Sequence, residues 1–290
     1  MLPSVMNPGG PVMLPGVTYA DLGLKIIPVH HSGPGNLDGA PTWFNEDGRT
    51  SIEDALLLCR SGRGDVIQLL PGHTQNVGVA DAWANLGTKT GVMIKGPDWG
   101  PPATLTWTAA GSTVLFDAAG FSIDGGPFKN IVLNLEPGTG TVTVAAPITV
   151  SAAHCKIARC KIRMGTDASN FVTDGITTTA AGDDLTLAGN VMYAATAATP
   201  TSMVKLVGAD RVQSVGNYIA GATTAVTGGV LLFATTASLD IFSAYNTFIN
   251  RKALSQCAVV GFAGVSGVSY EDHFAYLDTA SLTPWLTSTG

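Results

Sequence analysis

The second half of the chain repeats one arrangement of apolar and polar positions. Cys160, Asn190, Asn217 and Asn246 recur at intervals of roughly 27 to 30 residues. Two positions after each marker stands an apolar residue (Ile162, Met192, Ile219, Phe248), and five positions before each stands another (Cys155, Leu185, Val212, Ile241). Weaker copies extend the series to Asp272, followed by Phe274, and to Asn134, preceded by Ile131 and Val132. In these two copies Gly267 and Lys129 stand where an apolar residue is expected. A fixed period of this length signals stacked units that bury a core only against their neighbours.

Each unit reads as two or three short strands joined by turns, such as Asp184 to Leu187, Gly189-Asn190, then Val191 to Ala194. The pattern predicts coils stacked at about 4.8 Å with inward ladders of Val, Ile, Leu and Phe. Asn at the recurring corner fits twice over: it tolerates left-handed backbone, and its side chains stack and bond to one another. Cys160 is expected in that ladder as a small buried replacement. Further strands are expected at 91–95, 103–107, 112–116, 121–123 and 130–135, separated by turns rich in Gly and Pro. The loop 76–90, with Asp81, Trp83 and Lys89, is expected to protrude.

Ahead of the repeat, Ile52, Ala55, Leu56 and Cys59 fall on one face at helical spacing. Either Thr50 with Glu53 or Ser51 with Asp54 forms a capping box, and Gly62 and Gly64 are expected to end the helix. Such a helix suits the end of a strand stack, which otherwise exposes core and strand edges. Residues 1–48 carry Pro3, Pro8, Pro11, Pro15, Pro28, Pro34 and Pro41, but also Leu2, Val5, Met6, Val12, Met13, Leu14, Ile26, Ile27 and Trp43. This composition predicts an extended arm with apolar anchors, docked onto a neighbouring molecule in preference to its own rod. The expected organisation is an arm (1–48), a capping helix with the repeat (49–275) and a tail (276–290). In the tail, Pro284, Trp285 and Leu286 cover the distal core or contact a partner.

The run Gly64-Asp65-Val66-Ile67-Gln68-Leu69-Leu70-Pro71-Gly72-His73, preceded by the short helix, resembles the opening of pectin-lyase-like right-handed β-helix proteins. The resemblance covers roughly residues 47–275. It implies an all-β, single-stranded right-handed parallel β-helix with a short N-terminal capping helix and an extended N-terminal arm. It implies little about activity, because this fold serves lyases, hydrolases, adhesins and viral structural proteins alike.

Composition narrows the choice. Charged residues make up 12% and hydrophobic ones 46%, so few positions are given to a salt-bridged surface, as befits a rod covered by partners. A net charge of −6 with only 15 Lys and Arg and no basic stripe argues against nucleic acid. No run is long and apolar enough to predict a membrane span, and Met1 to Met6 lacks the features of a secretory signal, so assembly in a host cytoplasm is expected. Cys59, Cys155, Cys160 and Cys257 show no metal-binding spacing and are expected as buried thiols.

Catalytic constellations are weak. Thr173-Asp174-Gly175 and Gly182-Asp183-Asp184 are similar to the two acidic motifs of polygalacturonases, but they are too close in sequence to lie one coil apart. Neither a Gly-His-Gly nor an Arg-x-Lys element follows them. His30, His31 and His154 lack a carboxylate pair, and no nucleophile elbow or phosphate-binding loop occurs. Trp83, Trp99, Trp107, Trp285 and Trp43 are candidate sugar platforms, though Trp in loops and termini more often anchors an interface. No catalytic, cofactor-binding or metal site is therefore assigned.

In overall character the chain resembles bacteriophage-encoded β-helix virion proteins. That resemblance implies a capsid cement or decoration protein, a homotrimer bound to the major capsid protein on the outer head surface. The alternative it implies is a tail spike or receptor-binding rod that binds or depolymerises polysaccharide.

Overall fold

The computed structural model describes residues 24–32, 48–136, 142–223, 229–251, 259–261, 263–278 and 281–285. The chain winds into a right-handed parallel β-helix whose three sheets hold nine, eleven and six strands. One full coil runs Lys156–Ala158 in the first sheet, Lys161–Gly165 in the second and Asp174–Thr178 in the third, before Thr186–Ala188 begins the next. The strands expected at 91–95, 103–107, 112–116, 121–123 and 130–135 are present within one or two residues.

The inward rows are continuous. Leu105, Leu133, Ile162, Met192, Ile219, Phe248 and Phe274 stand in register along the second sheet, ending in stacked rings 5.4 Å apart. Val114, Ile148, Ile176, Val204, Leu231 and Val259 line the third. The first sheet changes character along its length: Ile27, Ile67, Ile94, Ile123, Ile157 and Leu187 give way to Ser214, Ser243 and Ser269.

The serines accompany the asparagine ladder, which is real and buried. Asn217 Oδ1 accepts the Asn190 N–H (2.9 Å) and Nδ2 (3.0 Å), Asn246 Oδ1 accepts the same two donors of Asn217 (2.9 and 3.0 Å), and Asp272 Oδ1 those of Asn246 (2.8 and 3.0 Å). Each amide also donates back to a carbonyl, of Ile157, Leu187 or Ser214. Asn217 and Asn246 contact Ser214 and Ser243 Oγ, while Ser269 Oγ donates to Asp272. Cys160 takes the next place, buried, its N–H bonded to Asn190 Oδ1 (3.0 Å).

Two details differ from the sequence reading. The left-handed residue at this corner is the one before the ladder position: Arg159 (φ 54°), Gly189 (64°), Gly216 (63°), Tyr245 (57°) and Glu271 (50°). The chain reverses there, which leaves Asn free to point inward. Asn134 is no copy of the corner, because it pairs with Arg163 and so leaves Ile131 opposite Cys160. Gly267 does align with Ile241, and a Cβ there would collide with the Ile241 carbonyl oxygen, so glycine is needed.

Helix α1, Ile52–Leu58, buries Ile52, Ala55 and Leu56, with Cys59 buried just beyond its end. Its cap is Ser51 with Asp54 (Asp54 N–H to Ser51 Oγ, 3.2 Å), while Glu53 accepts instead from Gln75 Nε2 (2.7 Å). The helix stops at Leu58, where Cys59 turns extended; Gly62 and Gly64 shape the turn after it. It lies against two strands, Ile26–Val29 and Val66–Leu69. The first of these comes from the Pro/Gly-rich segment: Ile26–Val29 pairs in parallel with Val66–Leu69 and is the first rung of the stack. The rest of the arm, including Trp43, lies outside the described residues apart from 24–32 and Gly48.

Asp65 fastens this junction. It accepts from the Lys25 N–H (2.9 Å), the Arg60 N–H (2.7 Å) and both prongs of Arg63. Burial alone would raise its pKa, but Arg63 and the backbone donors outweigh that and hold the carboxyl below the usual range. The segment after Val77 folds back onto the shaft and does not protrude: Trp83 and Leu86 are buried, with Trp83 edge-on to Phe121. At the distal end, Ser281–Trp285 returns antiparallel along His273–Asp278 and so covers the edge of the second sheet. Leu286 lies outside the described residues.

If the ladder carries the distal coils, Asn217→Ala strands buried donors and an acceptor on both neighbouring rungs. It should lower unfolding free energy by about 2 to 4 kcal/mol, whereas Asn134→Ala, with one long bond to Thr106, should cost under about 1 kcal/mol. Urea unfolding followed by circular dichroism compares the two, and equal losses would show that the stack is not the supporting element.

Candidate functional site

The acidic motifs are built into the shaft separately. Asp174 opens a third-sheet strand, where Oδ1 accepts from Ser202 Oγ (2.7 Å) and Oδ2 from Lys205 Nζ (2.8 Å) on the next rung. Asp183 and Asp184 stand at the corner beyond that strand, and Arg211 binds both: Asp184 at 2.8 and 3.0 Å, Asp183 at 3.2 Å. Between the motifs runs the strand Asp174–Thr178, an extended span of about 13 Å. That exceeds the spacing of about 5 to 9.5 Å at which two carboxyls share glycosidic chemistry. Hydrogen bonds and charge from Arg211 also hold Asp184 below its usual pKa, the opposite of what a general acid needs. His154 stands at the same corner, Nδ1 3.4 Å from Asp184.

Other acids are used in the same way. Asp124 is gripped by both prongs of Arg159 from the next coil. Burial pushes its pKa up, but Arg159, the Gly126 N–H and Lys156 pull it below the ordinary value. Glu136, fully buried, meets Arg163 at 2.7 Å. Cation and carboxylate thus join neighbouring coils at four places, through Arg159, Arg163, Lys205 and Arg211.

One titratable cluster was not legible from the sequence. The first rung carries His30 and His31 to the Pro71-Gly72 turn, where their rings lie 4.3 Å apart and His31 lies 6.3 Å from His73. Gln75 bridges to the helix, donating to Glu53 and accepting from the Ile52 N–H (3.0 Å). His73 is fully buried, so it meets no substrate. Burial drives its pKa down to about 4, with the His30 and His31 rings adding to the effect against a Gln75 bond. The pairing of His30-His31 with His73 could be seen only once residues 26–29 were known to be a rung.

The described thiols and two of the tryptophans, Trp83 and Trp107, also face inward. Burial pushes Cys59 up to about 12, Cys155 up to about 11 and Cys160 higher still, so none is a nucleophile at neutral pH; Cys257 lies outside the described residues. Trp83 and Trp107 are core residues, not platforms, and Trp107 Nε1 donates to the Pro147 carbonyl (3.0 Å). Trp99 is exposed. Among the described residues no cluster of His, Cys, Asp or Glu is placed to hold a metal, and no helix is long and apolar enough to cross a membrane.

Burial, with the neighbouring Asp81 carboxylate adding to it, raises the Asp117 carboxyl above its usual range. Leu239, Phe242, Tyr245, Val268 and Tyr270 are 43%, 43%, 56%, 63% and 51% exposed, all on the last two coils of the first sheet. Beside them a cavity of about 210 Å³ opens at the distal end, lined by Leu231, Phe233, Phe248, Val259 and Phe274. The signal for this face was present in the chain: the residue after each inward Cys155, Leu185, Val212, Ile241 and Gly267 is Lys, Thr, Gln, Phe and Val. Comparison with models of protein families, with curated proteins and with solved structures finds no match.

The buried imidazole gives a pH dependence with a definite sign. His73 is neutral when folded and protonates near its ordinary value of 6.5 when unfolded, so its stabilising contribution is complete above pH 6.5. It is lost as pH falls towards 4, on the order of 2 to 3 kcal/mol over that window. His73→Leu should flatten the fall in urea midpoint between pH 7 and 4.5. The depressed carboxylates Asp65 and Asp124 act only at lower pH, so an unchanged slope in the variant would clear His73 of the effect.

Proposed function

We propose that the protein is a structural component of a bacteriophage virion: a cement or decoration protein that binds the outer capsid surface as a homotrimer and stabilises the head. The observation that carries this reading is the use of the acidic residues. Those of the two polygalacturonase-like motifs, and the buried ones, are neutralised within the shaft, while five large apolar side chains left in water share one distal flank and others, such as Leu57, Val79, Trp99 and Phe128, stand singly elsewhere on the rod. A rod so constructed is suited to adding buried area between subunits rather than to chemistry. Several modest contacts per oligomer act together once the first has formed. The short helix and the Gly64-Asp65 turn, with Asp65 buried beneath the first rung, support placing it with the pectin-lyase-like β-helices, a fold that virions use for stiff attachments.

The partner in this reading is the major capsid protein, and the sequence ahead of the first rung supplies apolar anchors for it. Deleting residues 1–23, which spares Ile26–Val29, should leave the β-sheet circular dichroism and urea midpoint unchanged. It should also lower co-sedimentation with phage heads that lack the protein at least tenfold. Heads that bind neither form, together with cleavage of a host surface polysaccharide by the full-length rod, would replace this reading with that of a depolymerising tail spike.

A further inference from the structure

The outward side of the first sheet changes abruptly along the rod. At one register position Lys156, Thr186 and Gln213 occupy three successive rungs, and Phe242 and Val268 the next two. One row over, Ala158, Ala188, Val215 and Ala244 lead to Tyr270. At the adjoining corner Tyr245 takes the left-handed place that Gly189 and Gly216 hold in the two coils before it, and its ring meets Tyr270 edge-on at 5.6 Å. A side chain in that conformation costs on the order of 1 kcal/mol relative to glycine. The chain therefore accepts strain to place a second aromatic ring in water.

We propose that this flank, formed by Leu239, Phe242, Tyr245, Val268 and Tyr270, is where copies of the chain meet side by side. The inference deepens the oligomer in the reading above and does not depend on capsid attachment. Five side chains, each about half exposed, present on the order of 400 Å² of apolar surface, comparable with the largest patch a monomer carries. That is about half of the roughly 800 Å² each partner contributes to a stable interface. The polar rim of Thr186, Gln213 and Asp240 around it supplies further area. A second copy is the occupant the surface fits. All five side chains are uncharged, so their apolar surface complements itself, whereas Lys156 in the same row is a charged side chain, 3.8 Å from Asp124, that association would have to desolvate. Rods related by an axis parallel to their length bring the same rung of each copy to the same height. A patch confined to two rungs then meets its equivalent. The distal coils are thereby held together while the Lys156 rung stays in water.

The test uses the full chain. Sedimentation velocity at micromolar concentration should show a multiple of the 29.7 kDa chain mass. The double variant Phe242→Lys, Val268→Lys should fall to the mass of one chain, with its circular dichroism unchanged. As a second readout that leaves the surface apolar, Val268→Cys should cross-link between copies on oxidation, whereas Thr186→Cys, three rungs away on the same row, should not. A wild-type monomer, an oligomer that persists in the double variant, or cross-linking at 186 but not at 268 would each overturn the proposal. Head binding by the same proteins is scored separately: an oligomer that ignores heads would sink the capsid reading and leave this one standing.

Discussion

A parallel stack requires each buried polar side chain to find its partner at the same position one rung away, and this constraint organises the molecule. An asparagine can meet it indefinitely, because its carbonyl accepts from the rung before while its amide donates to the rung after. The series still has to end on a residue that accepts without donating onward. Asp272 does this: its carboxylate takes both donors of Asn246 and the Ser269 hydroxyl. At the other end Cys160 offers only its backbone N–H to Asn190. The ladder is thus closed at both ends by residues whose chemistry differs from asparagine in the required way.

The same logic explains the charges. A carboxylate on a corner or strand end can be satisfied by an arginine or lysine one coil further on, as in Asp124 with Arg159, Glu136 with Arg163, Asp174 with Lys205 and Asp184 with Arg211. Each pair links coils that otherwise touch through strand hydrogen bonds and core contacts. Asp65 is the special case at the start, where one buried carboxylate gathers the first rung, the exit of the helix and Arg63.

The inward rows were legible because they recur in every coil, and the period exposed Ile162, Met192, Ile219 and Phe248 directly. What broke the pattern was lost. Ile26–Val29 was read as part of an arm because Pro28 interrupts it. Among the described residues the outer side of this rung meets Arg49, whose N–H donates to the Pro28 carbonyl (2.9 Å) and whose carbonyl accepts the His30 N–H (3.0 Å), so Pro28 has no ladder bond to give up there. Trp83 was placed on a protruding loop because nothing in a single sequence shows that Phe121, far along the chain, supplies the surface it covers. Asn134 matched the marker by residue type, but the register is set by the strand Ile131–Asn134. The distal flank was missed because outward rows owe nothing to the stack and vary freely from coil to coil.

The inside and the outside of the first sheet both change along the rod. As far as its sixth rung the first sheet is aliphatic inside, from Ile27 to Leu187, while one outward row runs from Ile26, Val66 and Met93 at the start to Ser122, Lys156 and Thr186 in the middle. From Ser214 onward it is hydroxylic inside, and from Phe242 apolar outside. The distal coils therefore draw less stability from burial within their own coil and more from hydrogen bonds to the ladder, and the apolar surface they would ordinarily bury stands on the flank. The proposed side-by-side association would take that surface out of water, and because it overlies a hydroxylic inward row, the distal coils would gain from it apolar burial that their own first-sheet rungs lack.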